Sequence, residues 1–361
     1  MQSFIKEFPI TKQYIYANTA ASGLLYDSLL DWRQEHDLDA LISGIPLKEK
    51  CVGLISETRD TVGAFFGCKR ENVALVPNFS LGLNMLLEGL DKTHKVLLLE
   101  NDYPSVNWPF ESRGFPISYA KIDENLEQRI LEKIRSDTIS VLALSLVQWL
   151  NGIQIELDFL KTLKMEYPDL LIIVDGTQFC GTVDFNFEES GIDILGASAY
   201  KWLLAGHGNG FLLFKDNVKN KVAIRSIGLN AANGEVGKKE SIRFSKHFEP
   251  GHLDTLNFGS LKFSLEYLKR IGMKRVGENN QKLSQKAKNE FTDLGLLEPK
   301  VVSRKQHSTI FNIKGDDTTF QHLLDNDVIC SRRGDGIRLS FHFYNTENDI
   351  DRIVKILKIG K

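Results

Sequence analysis

Six short apolar runs, at residues 73–76, 95–99, 139–146, 170–174, 192–195 and 210–214, stand out from an otherwise mixed chain. Their apolar residues fall on mostly consecutive positions rather than alternate ones, the mark of strands buried on both faces. Between them lie stretches with helical spacing: 82–90 after the first run, 126–135 before the third, and 157–167 before the fourth, closed by Pro168. This alternation predicts a mostly parallel sheet covered by helices on both faces, with ligands beyond the C-terminal ends of the strands. After Gly259 the pattern changes. Residues 260–272 and 278–297 read as long amphipathic helices, followed by short strands at 309–313 and 336–341. A closing helix at 346–357 has Glu347 and Asp349 at its start and Lys355 near its end, charges that complement its dipole. The expectation is an α/β protein with a large domain over 12–260 and a smaller α+β domain over 261–361 that takes in residues 1–11.

Composition narrows the function classes. The 361 residues are 42% hydrophobic and 25% charged, as in globular chains, and 45 Lys plus Arg against 47 Asp plus Glu leave a net charge of −2. No long block of one sign is present, so no nucleic acid or membrane partner is expected. Cys51, Cys68, Cys180 and Cys330 are scattered without a CxxC pair, which argues against a disulfide framework or a structural zinc. His247 and His252, the only closely spaced histidines, share no helical face, and no metal site is expected. The N-terminus has no apolar signal core and the most apolar stretch, 141–150, is too short to cross a bilayer, giving a cytoplasmic expectation.

The strand at 170–174 runs directly into Asp175, Gly176, Thr177 and Gln178, setting a carboxylate and an amide at the mouth of the sheet. Twenty-six residues after Asp175, Lys201 sits among Ser198, Ala199, Tyr200 and Trp202, ahead of a glycine-rich turn ending at Gly210. Taken singly, an Asp after a strand caps a helix, and a Lys beside aromatic residues snorkels to solvent. The pair is more specific. Pyridoxal 5′-phosphate (PLP) needs a lysine for a Schiff base and a carboxylate to keep its pyridine nitrogen protonated as an electron sink. Residues 78–84, between a strand and a helix, offer backbone N–H groups and the Ser80 hydroxyl to a phosphate. Tyr103, in the segment 100–105, offers an aromatic face for the ring.

Together with residues 16–22 and 338–349, these stretches resemble the aminotransferase class V family, fold type I PLP enzymes that include cysteine desulfurases, kynureninases and isopenicillin N epimerase-like proteins. The resemblance spans nearly the whole chain. It implies a fold type I PLP-transferase whose large domain carries a mostly parallel, seven-stranded sheet, with a smaller α+β C-terminal domain. It implies that Lys201 and Asp175 are catalytic, Lys201 as the Schiff-base lysine and Asp175 as partner of the pyridinium. Gln178 would contact the ring oxygen, and Ser80 and Ser198 would hold the phosphate. Tyr200 stands where the family commonly has His, an aromatic donor in place of the imidazole. Arg338 matches the arginine that clamps the substrate α-carboxylate, a role suited to a planar bidentate donor. Ala20 and Ala21 match the segment lining the substrate side. Thr255 resembles the threonine that reaches the phosphate of the neighbouring subunit's cofactor, which implies a homodimer with sites at its interface.

Departures bear on the reaction. Desulfurases stack a histidine on the cofactor and carry a nucleophilic cysteine on a loop before the carboxylate-binding arginine. Here the stacking candidate is Tyr103, and the loop is the short run 330–336, where Cys330 follows Val328 and Ile329 and reads as a structural thiol. Cys180, behind Gln178, reads as packing. Trp149 stands about where an asparagine often tunes the ring oxygen, and its indole either selects an apolar or aromatic substrate or fills the pocket floor. Arg332 and Arg333 either bind a second anionic group of the substrate or stand solvated. The expectation is a PLP enzyme acting on a small α-amino acid held by Arg338, with Lys201 removing the α-proton. Transamination is the leading reading. The alternatives are a selenocysteine lyase-, cysteine desulfurase- or kynureninase-like reaction, and a non-catalytic binding module, against which the retained lysine and aspartate speak.

Overall fold

The computed structural model describes residues 2–42 and 47–359. Its strands are β1 (Ile15–Tyr16), β2 (Val73–Val76), β3 (Val96–Leu99), β4 (Ile117–Ala120), β5 (Val141–Ser145), β6 (Leu171–Asp175), β7 (Ile194–Ser198), β8 (Gly210–Phe214), β9 (Ile310–Lys314), β10 (Val328–Ile329), β11 (Ser331–Arg333) and β12 (Gly336–Ser340). Its helices are α1 (Gln2–Ile5), α2 (Asp27–Ile42), α3 (Leu47–Phe66), α4 (Phe79–Glu88), α5 (Pro104–Glu111), α6 (Leu126–Asp137), α7 (Leu157–Glu166), α8 (Thr255–Ile271), α9 (Met273–Asp293), α10 (Pro299–Val302), α11 (Asp317–Asp325) and α12 (Glu347–Ile359).

Seven strands form one sheet in the order β2-β8-β7-β6-β5-β3-β4. Only β8 runs against its neighbours; the other pairings are parallel. Because β2 and β7 flank β8 in the same sense, the loops leaving β2, β3, β5, β6 and β7 open at one edge. The loop entering β8 joins them there.

The consecutive apolar runs follow from burial on both faces. Leu97, Leu99, Leu142, Leu144, Ile172 and Val174 pack with α3, α6, α7 and α8, whereas Val96, Leu98, Val141, Ala143, Leu171 and Ile173 pack with α4 and α5. A buried ion pair ties α3 to this body: Arg59 reaches both oxygens of Glu249 at 2.6 Å, and Glu249 also accepts from the Leu75 amide at 2.9 Å and from Lys246 at 2.8 Å.

A three-stranded antiparallel sheet, β11-β12-β9, stands beside the large one, and β1 pairs in parallel with β10. The chain continues past β1 toward the lysine turn. The Gly23 amide donates to the Tyr200 carbonyl at 2.8 Å, and a Cβ at position 23 would stand 2.0 Å from the Lys201 carbonyl oxygen, so glycine alone permits this approach.

Some elements escaped the hydrophobic pattern. The edge strand β4 is only half-buried over most of its length. Helix α5 carries Pro104 in its first turn and Pro109 inside. Helix α2 buries Leu29 but exposes Leu30, Leu38, Leu41 and Ile42, so no single stripe marks it. Helix α8 starts at Thr255 rather than at 260, because the Asp254 side chain caps it by accepting from the Asn257 amide at 3.0 Å.

Candidate active site

A cavity of about 520 Å³ opens at the edge where the parallel strands end. Lys201 and Asp175 both line it, and each is 5% exposed. The sheet positions both: Asp175 ends β6, and Lys201 follows β7 by three residues in a turn closed by the Leu204 amide on the Lys201 carbonyl at 3.2 Å. Leu204 itself takes a φ of +59°, a conformation uncommon for a non-glycine residue and held here by full burial.

Burial pushes the Asp175 carboxyl up, opposed by the Thr177 amide donating at 2.8 Å and by the charge of Lys201. Burial also pushes the Lys201 ammonium down; Asp175 pulls it back, while Arg338 and Arg333 push it further down. The Lys201 Nζ lies 5.6 Å from the Tyr103 ring centroid and 5.4 Å from that of Tyr200. A lysine so placed loses its proton more readily than one in water, as a general base must.

Ser80, in the first turn of α4, donates to the Ser105 hydroxyl at 2.8 Å, and Ser198 accepts from the Phe79 amide at 2.9 Å. Both serines line the cavity, so a helix N-terminus and two hydroxyls converge there. Tyr103 and Trp149 meet edge to face at 5.8 Å across the lining, and the buried Trp149 indole N–H has no partner. Tyr200 stacks on His207 at 4.3 Å, and burial pushes its phenol up to about 12. Gln178 accepts from the Trp202 indole at 2.7 Å and donates to the Ala20 carbonyl at 3.1 Å. Ala20 therefore touches the site through Gln178, and neither Ala20 nor Ala21 is among the described residues lining the cavity.

Arg338 is 3% exposed, donates to the Trp149 carbonyl at 2.8 Å, and keeps a buried Nε without a partner. Burial and the nearby Arg333 push its guanidinium down to about 10. In the β11–β12 register Arg338 faces Ser331, so strand alternation puts Arg333 on the same face. Arg332 takes the other face, donating to the Gly315 carbonyl at 2.6 Å and pairing with Asp317 at 3.2 Å.

Thr255 stands outside the cavity of its own chain, its hydroxyl 3.0 Å from His36 and within 3.8 Å of the Cys51 sulfur. Cys330 is 7% exposed, its thiol pushed up to about 12 by burial, and Cys180 is buried with its thiol pushed up likewise. Two neighbours were invisible in the sequence. Asp102 is buried, accepting from the Tyr103 and Ser145 amides at 2.7 Å each, and burial raises its carboxyl. His207 shares the cavity through its stack on Tyr200. Neither lies in a patterned run that would have marked it.

This donor set fits PLP. A buried carboxylate and a lysine share one cavity with an aromatic ring and a hydroxyl-lined helix N-terminus; Arg338 is not among the described residues lining it but is tied to the lining residue Trp149 and retains an unpaired N–H. Among the described residues no group of three His, Cys, Asp or Glu side chains could hold a metal, and no helix is long and apolar enough to cross a membrane.

Fold and site together define a PLP-binding α/β enzyme. Residues 43–353 match the aminotransferase class-V family, and the chain belongs to it. It is 22% identical over 388 residues to a probable cysteine desulfurase of Ureaplasma parvum, covering 99% of this chain and 96% of that protein. To an uncharacterized aminotransferase of Bacillus subtilis it is 22% identical over 362 residues, covering 95% and 93%. Its fold resembles the apo cysteine desulfurase of Thermococcus onnurineus (TM-score 0.87, 19% identity, covering 99% of this chain and 97% of that one). It also resembles a cystine C–S lyase solved with its product cysteine persulfide (TM-score 0.85, 17% identity, 97% and 98%).

Proposed function

We propose that this PLP enzyme acts on a small α-amino acid and cleaves a bond at its β-carbon, the lyase reading, rather than transferring its amino group. When bound, PLP supplies an electron sink for the negative charge left at the α-carbon. The chain supplies the rest. Arg338 binds the α-carboxylate through its free N–H groups, Asp175 holds the proton of the pyridine nitrogen, and Ser80 and Ser198 receive the phosphate. Lys201 takes the α-proton. Departure of the β-substituent with the bonding pair then gives, after hydrolysis, a 2-oxo acid, ammonium and the protonated leaving group.

The carrying observation is that Lys201 and Asp175, both buried, line one cavity, with Arg338 hydrogen-bonded to the carbonyl of the lining residue Trp149. The names of the desulfurase and C–S lyase relatives support cleavage at a carbon–sulfur bond. The burial of Cys330 speaks against passing that sulfur to a protein thiolate, so direct elimination is the form proposed. Transamination is the second reading, favoured by the aminotransferase relative. A panel of L-amino acids separates the two. Elimination yields pyruvate and ammonium from cysteine or cystine with no keto acid added, and transamination yields product only with a keto-acid acceptor. A failure of every amino acid to change the cofactor spectrum would overturn both.

The lobe division at 260/261, the cytoplasmic setting and the homodimer belong to this proposal too. Exposed Leu38, Leu41 and Ile42 on α2 support a subunit contact, as does the position of Thr255 outside the cavity of its own chain. Sedimentation at two protein concentrations tests it: a monomer throughout would remove Thr255 from any role at a cofactor.

A further inference from the structure

We propose that Trp202 is a positioning residue for the ring oxygen of the cofactor, acting through Gln178; this rests on reading the cavity as the PLP site. An indole N–H can only donate. It lies 2.7 Å from Gln178 Oε1, so the amide must present its oxygen to Trp202 and its NH2 group to the other side. One of those two hydrogens goes to the Ala20 carbonyl at 3.1 Å. The other is left for the cavity, which Gln178 lines. With the amide turned over, donor would face donor at Trp202 and acceptor would face acceptor at Ala20, both in buried surroundings. The cavity would then meet an acceptor, which the electron-rich ring oxygen rejects.

Trp202 is itself held in place. It is 1% exposed, and its carbonyl accepts from His342 Nε2 at 3.1 Å, with the two rings edge to face at 5.2 Å. Burial keeps His342 neutral, pushing it down to about 3. With the proton on Nε2, its Nδ1 is the acceptor for the Asn280 amide at 3.4 Å. Close behind, a Cβ on Gly181 would stand 2.6 Å from the Trp202 carbonyl, so that side offers no room to move. A line of contacts therefore runs from Asn280 in α9 through His342 and Trp202 to Gln178. The turn that delivers Lys201 delivers, in the next residue, the group that orients the amide.

A donated hydrogen bond favours the anionic form of a ring oxygen, and so lowers the pH at which the visible band of the bound cofactor titrates. The test is that midpoint, measured on PLP-loaded wild type, Trp202→Phe, Gln178→Ala and the double variant. Each single variant should raise the midpoint by about one pH unit, the worth of one such bond, and the double should match Gln178→Ala alone. A wild-type midpoint in Trp202→Phe beside a raised one in Gln178→Ala would overturn the proposal. So would a double variant in which the two shifts add. An unshifted Gln178→Ala would end the role of Gln178 yet leave the cofactor assignment intact, whereas wild type without any visible band would sink that assignment. Should Trp202→Phe fail to fold, Gln178→Glu serves: it keeps an acceptor for Trp202 and loses the donor, so its midpoint must rise, and a wild-type value would refute the idea.

Discussion

Arg338 donates through Nη1 to the carbonyl oxygen of Trp149 at 2.8 Å, which anchors the guanidinium of β12 to the loop leaving β5. The arginine is thus fixed by one hydrogen bond while its buried Nε waits unpaired. Replacing it with Ala should raise KM for the amino acid by about 30- to 150-fold, the worth of about 2–3 kcal/mol for hydrogen bonds to a charged carboxylate. Lys should recover little, because one ammonium cannot hold Trp149 and the substrate in the same fork. Steady-state kinetics decide; an unchanged KM in Arg338→Ala would take the α-carboxylate away from this residue.

Cys330 lies 7% exposed with its thiol pushed up to about 12, the wrong state for a sulfur nucleophile. Cys330→Ala should therefore keep turnover within about twofold of wild type, as for any inert buried thiol. Loss of activity in a variant with unchanged thermal stability would make Cys330 a persulfide carrier and the protein a desulfurase of the usual kind.

Stability should depend strongly on the ion pair between α3 and Glu249, whose side chains are 10% and 0% exposed. Burial pushes the Glu249 carboxyl up, but Arg59 and Lys246, with the Leu75 amide, hold it below the usual range. Removing Arg59 takes two hydrogen bonds from the buried carboxylate and leaves it Lys246 and the Leu75 amide, so Arg59→Ala should cost about 2–3 kcal/mol in urea unfolding, less than a fully stranded charge. A cost under about 1 kcal/mol, the range of a surface pair, would contradict this account of the contact.

Acid should weaken the fold through two histidines, the buried His342 and the half-buried His307. Burial pushes His307 down to about 4 and His342 to about 3, so both stay neutral in the folded chain. Unfolded, each takes up a proton near pH 6.5, so the unfolded state gains protons first and stability falls as pH drops from there toward 4. Each contributes up to about 1.4 kcal/mol per pH unit. Glu249 adds to the loss in acid, since stability from a lowered carboxyl disappears as pH falls through its folded value. Urea midpoints for wild type and His307→Gln between pH 7 and pH 5 read the slope; an equal slope in both would exclude His307.

The sheet was legible because its strands are buried on both faces: the runs around Leu97, Leu142 and Ile172 are apolar at nearly every position. The same logic hid β4, whose Ile117, Ser118 and Tyr119 are only half-buried, and α5, which Pro109 interrupts. At the site, Asp175 and Lys201 could be read from the apolar runs that precede them, and the structure sets them around one cavity, Asp175 as the last residue of β6 and Lys201 three residues past β7. Asp102 could not. Its partners are backbone amides of Tyr103 and Ser145, and only the packing of β3 against β5 brings the second of these close. Thr255 shows the converse, a motif read from the sequence whose surroundings in one chain are His36 and Cys51 rather than the cavity.

The assignment of Lys201 as the residue that carries the cofactor is tested most directly by reducing PLP-loaded protein with borohydride and mapping the labelled peptide. The pocket geometry predicts one pyridoxyl group per chain on Lys201, with a folded Lys201→Ala variant that takes no label and has no turnover. A label on another lysine, or full activity in that variant, would contradict the account.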